Sequence, residues 1–259
     1  MKYLLFLLLI SLSGCSSYYA RATYEFLKID AQIPVYYEEG QEGLANQVAN
    51  LIPESLRRVE DNLFTEFSQS EEIIIYVFSD PSRYAKFSGA SSKTRGSATK
   101  HEVYISPIIL ERIETLKPIL IHELAHVHLR QYIGTWRYWT EVPGWFHEGL
   151  AVEVSNGGGA EKITYDEAYE SISNGKYFTP REKSGLLGHK FAHDYGMAPQ
   201  LYYRQANLFV RFLITNNPSA FKNVYLKLLN GAKFDTVWQS YYGKSIPELW
   251  LEFIGGVKA

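Results

Sequence analysis

The sequence holds a single cysteine, Cys15, in 259 residues. It contains no internal repeat and no segment of low complexity. An excess of charge of one sign is also missing: 26 Lys and Arg stand against 28 Asp and Glu, a net charge of −2. A nucleic-acid partner would call for a basic excess, so that class is excluded. The apolar stretch at residues 3–12 is too short to span a bilayer by itself. What is present is ordinary for a globular protein, 46% apolar and 21% charged, and long enough for one large domain or two small ones. Aromatics are plentiful at 15% of the chain, including 20 Tyr, as expected of a stacked core and groove.

The position of Cys15 decides its meaning. Met1-Lys2 is a short basic start, an apolar stretch follows, and Ser13-Gly14 are small. This order predicts a cleaved signal peptide over residues 1–14 rather than a membrane anchor. Leu12-Ser13-Gly14-Cys15 resembles the lipobox of bacterial lipoproteins. That resemblance implies a lipid on Cys15, a tether over residues 15–30 and attachment to a membrane of the bacterial cell envelope, outside the cytoplasm. An ordinary secretory signal with an incidental cysteine is the alternative. Once lipidated, Cys15 leaves no thiol for a disulfide or a thiolate metal ligand. Ser16-Ser17 lack the aspartate associated with inner-membrane retention, which points to the outer membrane if the source is Gram-negative.

Taken in order, residues 33–37 read as a short strand and 41–67 as an amphipathic helix with Pro53 as a candidate kink or division point. The run Ile73-Ile74-Ile75-Tyr76-Val77-Phe78 reads as a buried strand, and Asp80-Pro81 starts a short helix to about Phe87. Residues 95–99 and 102–106 read as two strands. A long helix is expected from about 110 to 132, ending near Gly134, followed by a Trp-rich connection over 136–139. Pro143 is placed to start the next helix, through Glu153. Beyond a glycine-rich stretch at 156–199, with a short helix at 166–172, helices are expected over about 201–215, 219–230 and 245–255.

Within the long helix lies Ile121-His122-Glu123-Leu124-Ala125-His126-Val127-His128. Helical positions four apart differ by about 40° of rotation, so His122 and His126 point the same way. Two imidazoles on one face, with a glutamate after the first, form the H-E-x-x-H arrangement of zinc peptidases. The histidines supply neutral nitrogen ligands, and Glu123 lies beside the metal-bound water as general base. Glu148 comes 22 positions after His126, on a helix that can pack antiparallel to the first. Two histidines and one carboxylate leave the fourth zinc position open, as catalysis needs.

The segment Pro143-Gly144-Trp145-Phe146-His147-Glu148-Gly149-Leu150-Ala151 resembles the second signature of the gluzincins, a tryptophan followed by Glu-Gly-Leu/Phe-Ala. The chain is more closely similar to the peptidase MA-like family, over roughly residues 31–256. The similarity continues in Tyr203-Arg204-Gln205-Ala206 with Phe209 to Leu213, then Phe234-Asp235 to Gly243, Pro247-Glu248-Leu249-Trp250 and Phe253. It implies an α+β fold: a thermolysin-like zincin with a small mixed sheet, an HExxH active-site helix and a helical C-terminal half. The implied domain covers 31–259, a mixed α/β part over 31–109 and a mainly helical part over 110–259. Zn2+ would be held by His122, His126 and Glu148, with Glu123 deprotonating the bound water. A tyrosine hydroxyl helps stabilise the oxyanion in relatives. By position this is Tyr203, with Tyr202 adjacent; core packing is the other reading of Tyr203. Relatives also pair an extended substrate with an edge strand, for which residues 96–99 are the candidate, or else an ordinary surface hairpin. Aminopeptidase gluzincins carry Gly-Ala-Met-Glu-Asn there, whereas Gly96-Ser97-Ala98-Thr99-Lys100 has no carboxylate. The implied activity is therefore that of an endopeptidase acting on a peptide or protein. The alternatives are a zinc-containing binding or assembly lipoprotein that hydrolyses nothing, and a non-peptidase zinc hydrolase.

Other polar residues have plainer readings. His128 falls about 200° from His126 around the helix and belongs to packing or surface. His147 points off the metal face, or lines the pocket. His189 and His193 repeat the four-residue spacing without the glutamate and read as loop residues. Glu153 reads as an exposed helix carboxylate, or as a group orienting a ligand histidine. The loops over 156–199 are candidates for a lid or specificity element.

Overall fold

A computed structural model describes residues 20–182 and 190–258. Signal peptide, Cys15 and His189 lie outside the described residues. Five short strands form one sheet: β1 (Leu27–Ile29), β2 (Val35–Tyr37), β3 (Ile74–Val77), β4 (Gly96–Ala98) and β5 (Glu102–Ile105). Their order is β1-β2-β3-β5-β4, with the two inner pairings parallel and the two outer ones antiparallel. The parallel strands carry the β-branched runs, and Val35, Ile75, Val77, Val103 and Ile105 are fully buried, as strands covered on both faces require.

The crossover from β2 to β3 is α1 (Glu42–Leu63), whose Leu44, Val48, Ile52, Leu56, Val59 and Leu63 form the buried stripe. Pro53 does not divide it. The ring sits on the exposed side, where water can satisfy the carbonyl that proline leaves unpaired. After β3, α2 (Pro81–Ser88) is capped by Asp80, whose carboxylate accepts from the backbone of Ser82 and Arg83 at 2.8 and 2.9 Å. The expected tether is shorter at its C-terminal end. Leu27–Ile29 pairs with β2, while Tyr24 and Phe26 pack against Phe87, Phe78 and Tyr76.

A 3-10 segment at Pro107–Thr115 leads into α3 (Leu116–Thr140), followed by α4 (Gly144–Val154), α5 (Tyr165–Ser173), α6 (Pro199–Asn216), α7 (Pro218–Leu229), α8 (Phe234–Tyr242) and α9 (Ile246–Lys258). Two boundaries correct the sequence reading. The Trp-rich connection at 136–139 is helical: α3 breaks at Gly134, with φ 77° and ψ 155°, and resumes to Thr140. Helix α8 was not expected as a separate element; Phe234 and Trp238 anchor it against Phe146.

The buried centre is α4, apolar on nearly every side. From Gly144 to Val152 all its residues are buried, and it lies between α3 and α6. Its contact with α6 is backbone against side-chain-free backbone: a Cβ at Gly149 would lie 2.5 Å from the Ala206 carbonyl oxygen. Gly149→Ala is therefore expected to destabilise the protein by ~1–3 kcal/mol, because two packed helices must separate. Gly43→Ala, in open space on α1, is expected to be neutral or stabilising by ~0.5–1 kcal/mol. Denaturant unfolding of both variants checks this, and equal stabilities would contradict the packing argument.

Candidate metal centre

α3 and α4 bring three electron-rich atoms together. His122 Nε2 and His126 Nε2 are 3.1 Å apart, and Glu148 Oε2 lies 3.5 and 3.6 Å from them. All three residues are buried. A tetrahedral zinc with ligands at 2.0–2.1 Å holds its ligands about 3.3 Å apart, so this triangle fits the ion with little adjustment. His126 and Glu148 resist protonation. Burial pulls the His126 imidazole down to about 3. Burial alone would raise Glu148, but the histidines packed against it, His126 first and then His122 and His147, hold it well below the usual carboxylate range. His122 moves up: burial lowers it, and the hydrogen bond to Glu148 with the charges of Glu123 and Glu148 outweighs that effect.

Backbone contacts orient His122. Its Nδ1 is 2.9 Å from the Gly158 carbonyl. A carbonyl only accepts, so Nδ1 carries the proton and Nε2 presents a lone pair to the site. This contact depends on the glycines after α4. A Cβ at Gly158 would sit 2.4 Å from the Pro118 carbonyl oxygen, and Gly159, at φ +85°, lies against the His122 ring. The loop is pinned from two directions. Arg204 donates to the carbonyls of Ala160 and Ile163 at 3.1 and 2.9 Å. Glu161 accepts from the Gly159 amide at 3.0 Å and pairs with Arg95 at 2.6 Å. From sequence alone Gly157-Gly158-Gly159 reads as part of a loop near the cleft, and Arg204 carries no site role. The signal lies in three consecutive glycines soon after the helix that carries the candidate ligand Glu148.

Glu123 faces the edge strand. A Cβ at Gly96 would meet Glu123 Oε1 at 3.1 Å, so only glycine lets β4 run this close. Burial pushes the Glu123 carboxyl up to about 7, against the pull of His122. On β4, Thr99 donates to Glu102 and Ser106 to Arg95, which leaves the backbone groups of Gly96 and Ala98 directed away from β5. The Ala98 carbonyl accepts from the buried Arg130.

Tyr203 packs beside His122, ring centres 6.4 Å apart. The negative charge of Glu148, with burial, pushes its hydroxyl above the ordinary phenol range. Tyr202 is committed elsewhere, donating to the Lys190 carbonyl at 3.2 Å and stacking on Tyr195. His128 is fully buried away from the site, between Tyr225 Oη at 3.0 Å and the Thr65 carbonyl at 3.1 Å. His193 is exposed beside Asp194. Glu153 is neither an exposed carboxylate nor a partner of a ligand histidine: it is half-buried and takes Asn207 at 2.6 Å and Arg211 at 3.2 Å, tying α4 to α6.

No family model matches the chain, and no curated protein sequence matches it. Solved structures do resemble it. Native yeast LTA4 hydrolase superposes with a TM-score of 0.54 at 13% identity, covering 88% of this chain and 39% of that one. Yeast LTA4 hydrolase in complex with bestatin gives 0.53 at 14% identity, covering 91% and 37%. This chain thus spans about two-fifths of the proteins it resembles. At such identity the likeness establishes a shared α+β fold, helix-rich with a small mixed sheet.

Gly158→Ala displaces the loop from Pro118 and carries its carbonyl off His122. It is expected to weaken zinc binding ~10-fold or more, read by competition with a chromogenic chelator. Unchanged affinity would show that the carbonyl does not orient the histidine.

Proposed function

We infer that the chain is a zinc-dependent peptidase of the gluzincin type that hydrolyses internal bonds of peptide or protein substrates. The observation that carries this reading is the convergence of His122 Nε2, His126 Nε2 and Glu148 Oε2 within 3.1–3.6 Å, in a fold shared with LTA4 hydrolase. Bound there, zinc supplies a Lewis acid that polarises the scissile carbonyl and acidifies water. Glu123 takes the proton of the attacking water and delivers it to the leaving amine. A carboxyl raised by burial to about 7 accepts and releases a proton near neutrality. The Tyr203 hydroxyl, kept protonated beside Glu148, donates towards the oxyanion.

The substrate lies extended along β4, pairing with the outward backbone groups of Gly96 and the amide of Ala98, whose carbonyl is taken by Arg130. No carboxylate stands at residues 96–100 to hold a substrate amino terminus, which favours cleavage within a chain. A lipid on Cys15 holds the enzyme at a bacterial envelope membrane, the outer membrane in a Gram-negative source. Among the described residues no helix is long and apolar enough to cross a membrane.

Glu123→Gln keeps shape and removes the base. It is expected to retain zinc and lose ~10²–10⁴-fold in peptide hydrolysis, measured on a fluorogenic peptide library. Wild-type turnover in that variant would rule the mechanism out. Zinc uptake by the wild type with no cleavage of any peptide would support the non-catalytic lipoprotein instead.

A further inference from the structure

His122 has a carbonyl to set its tautomer, whereas the corresponding nitrogen of His126 meets a hydroxyl. His126 Nδ1 lies 3.0 Å from Tyr138 Oη, and the same oxygen lies 2.9 Å from His147 Nδ1. All three side chains are buried, with Tyr138 only 1% exposed. In an unbroken helix the twelve residues from His126 to Tyr138 would span about 18 Å. The break at Gly134 turns the last part of α3 back and brings the two together. The Arg130 guanidinium covers the Tyr138 ring at 4.1 Å and donates to Ala98 of the edge strand, so the tyrosine is held from both sides.

A hydroxyl can accept or donate, so by itself it sets no tautomer. A metal on His126 Nε2 removes the ambiguity. With Nε2 of His126 given to a metal, the imidazole carries its proton on Nδ1, aimed at Tyr138 Oη. The Tyr138 hydroxyl then donates to His147 Nδ1, an atom that also lies 3.5 Å from Glu148 Oε1. We propose that Tyr138, backed by His147, is the positioning residue that fixes His126 in its metal-binding tautomer, so that the break at Gly134 serves the zinc site. This rests on the zinc reading above and adds to it a residue outside both metal motifs. Neither Tyr138 nor His147 touches the reacting atoms.

The test is zinc affinity of Tyr138→Phe by chelator competition, beside Tyr225→Phe as a matched control. Tyr225 gives its hydroxyl to His128 Nδ1 at 3.0 Å on the same helix, so both variants remove one buried hydroxyl from one imidazole. Tyr138→Phe is expected to weaken zinc binding ~10–100-fold, with Tyr225→Phe within about 2-fold of wild type. The visible spectrum of the cobalt-loaded protein is expected to change in the first variant alone. Tyr138→Phe with wild-type affinity and spectrum would overturn the inference while leaving the zinc site standing, as would equal weakening in both variants. A folded wild type that takes up no zinc would overturn the site, and this inference with it.

Discussion

Two imidazole lone pairs and a carboxylate oxygen sit within 3.1–3.6 Å of one another in a buried place. Such atoms repel unless something positive stands among them, and burial strengthens the repulsion. A proton on His122, whose pKa is raised, relieves part of this, while burial pulls His126 down to about 3 and Glu148 is held well below the carboxylate range. A divalent cation satisfies all three at once. The surrounding structure works to hold these atoms against their mutual repulsion.

It does so largely with backbone. Gly149 lets α4 lie directly on the Ala206 carbonyl, which sets the depth at which Glu148 enters the site. Gly158 touches the Pro118 carbonyl, and that close approach places its own carbonyl on His122 Nδ1. Gly96 admits β4 to within reach of Glu123. At each point a side chain would push an element away from the centre. Arg204, Glu153 and Arg130 then lock loop, helix and edge strand with hydrogen bonds. These contacts tie loop, helix and edge strand to one another around the candidate site.

Much of this was legible in the sequence. The β-branched run at 73–78 announced a buried strand and residues 102–106 a further strand, and the i, i+4 spacing of His122 and His126 put them on one face. Glu148 followed from the Glu-Gly-Leu-Ala segment, and the fold class from the family resemblance that this segment and the H-E-x-x-H motif carry. What was hidden depended on three-dimensional return. Tyr138 reaches His126 only because one glycine reverses the helix, and no periodicity encodes where a chain goes after a break. The strand Leu27–Ile29 is too short and too mixed to stand out before its partner is known. The triglycine reads as loop until Pro118 and His122 lie beneath it. Glu153 reads as solvent-facing because its partners, Asn207 and Arg211, lie over fifty residues away.

The most direct test of the central claim is the metal content of the folded chain after zinc is supplied at neutral pH, compared with Glu148→Ala. The account expects about one tightly held zinc per wild-type chain, and a Glu148→Ala protein that folds but loses the metal or binds it far more weakly. Stoichiometric zinc in both proteins, or in neither, would contradict it.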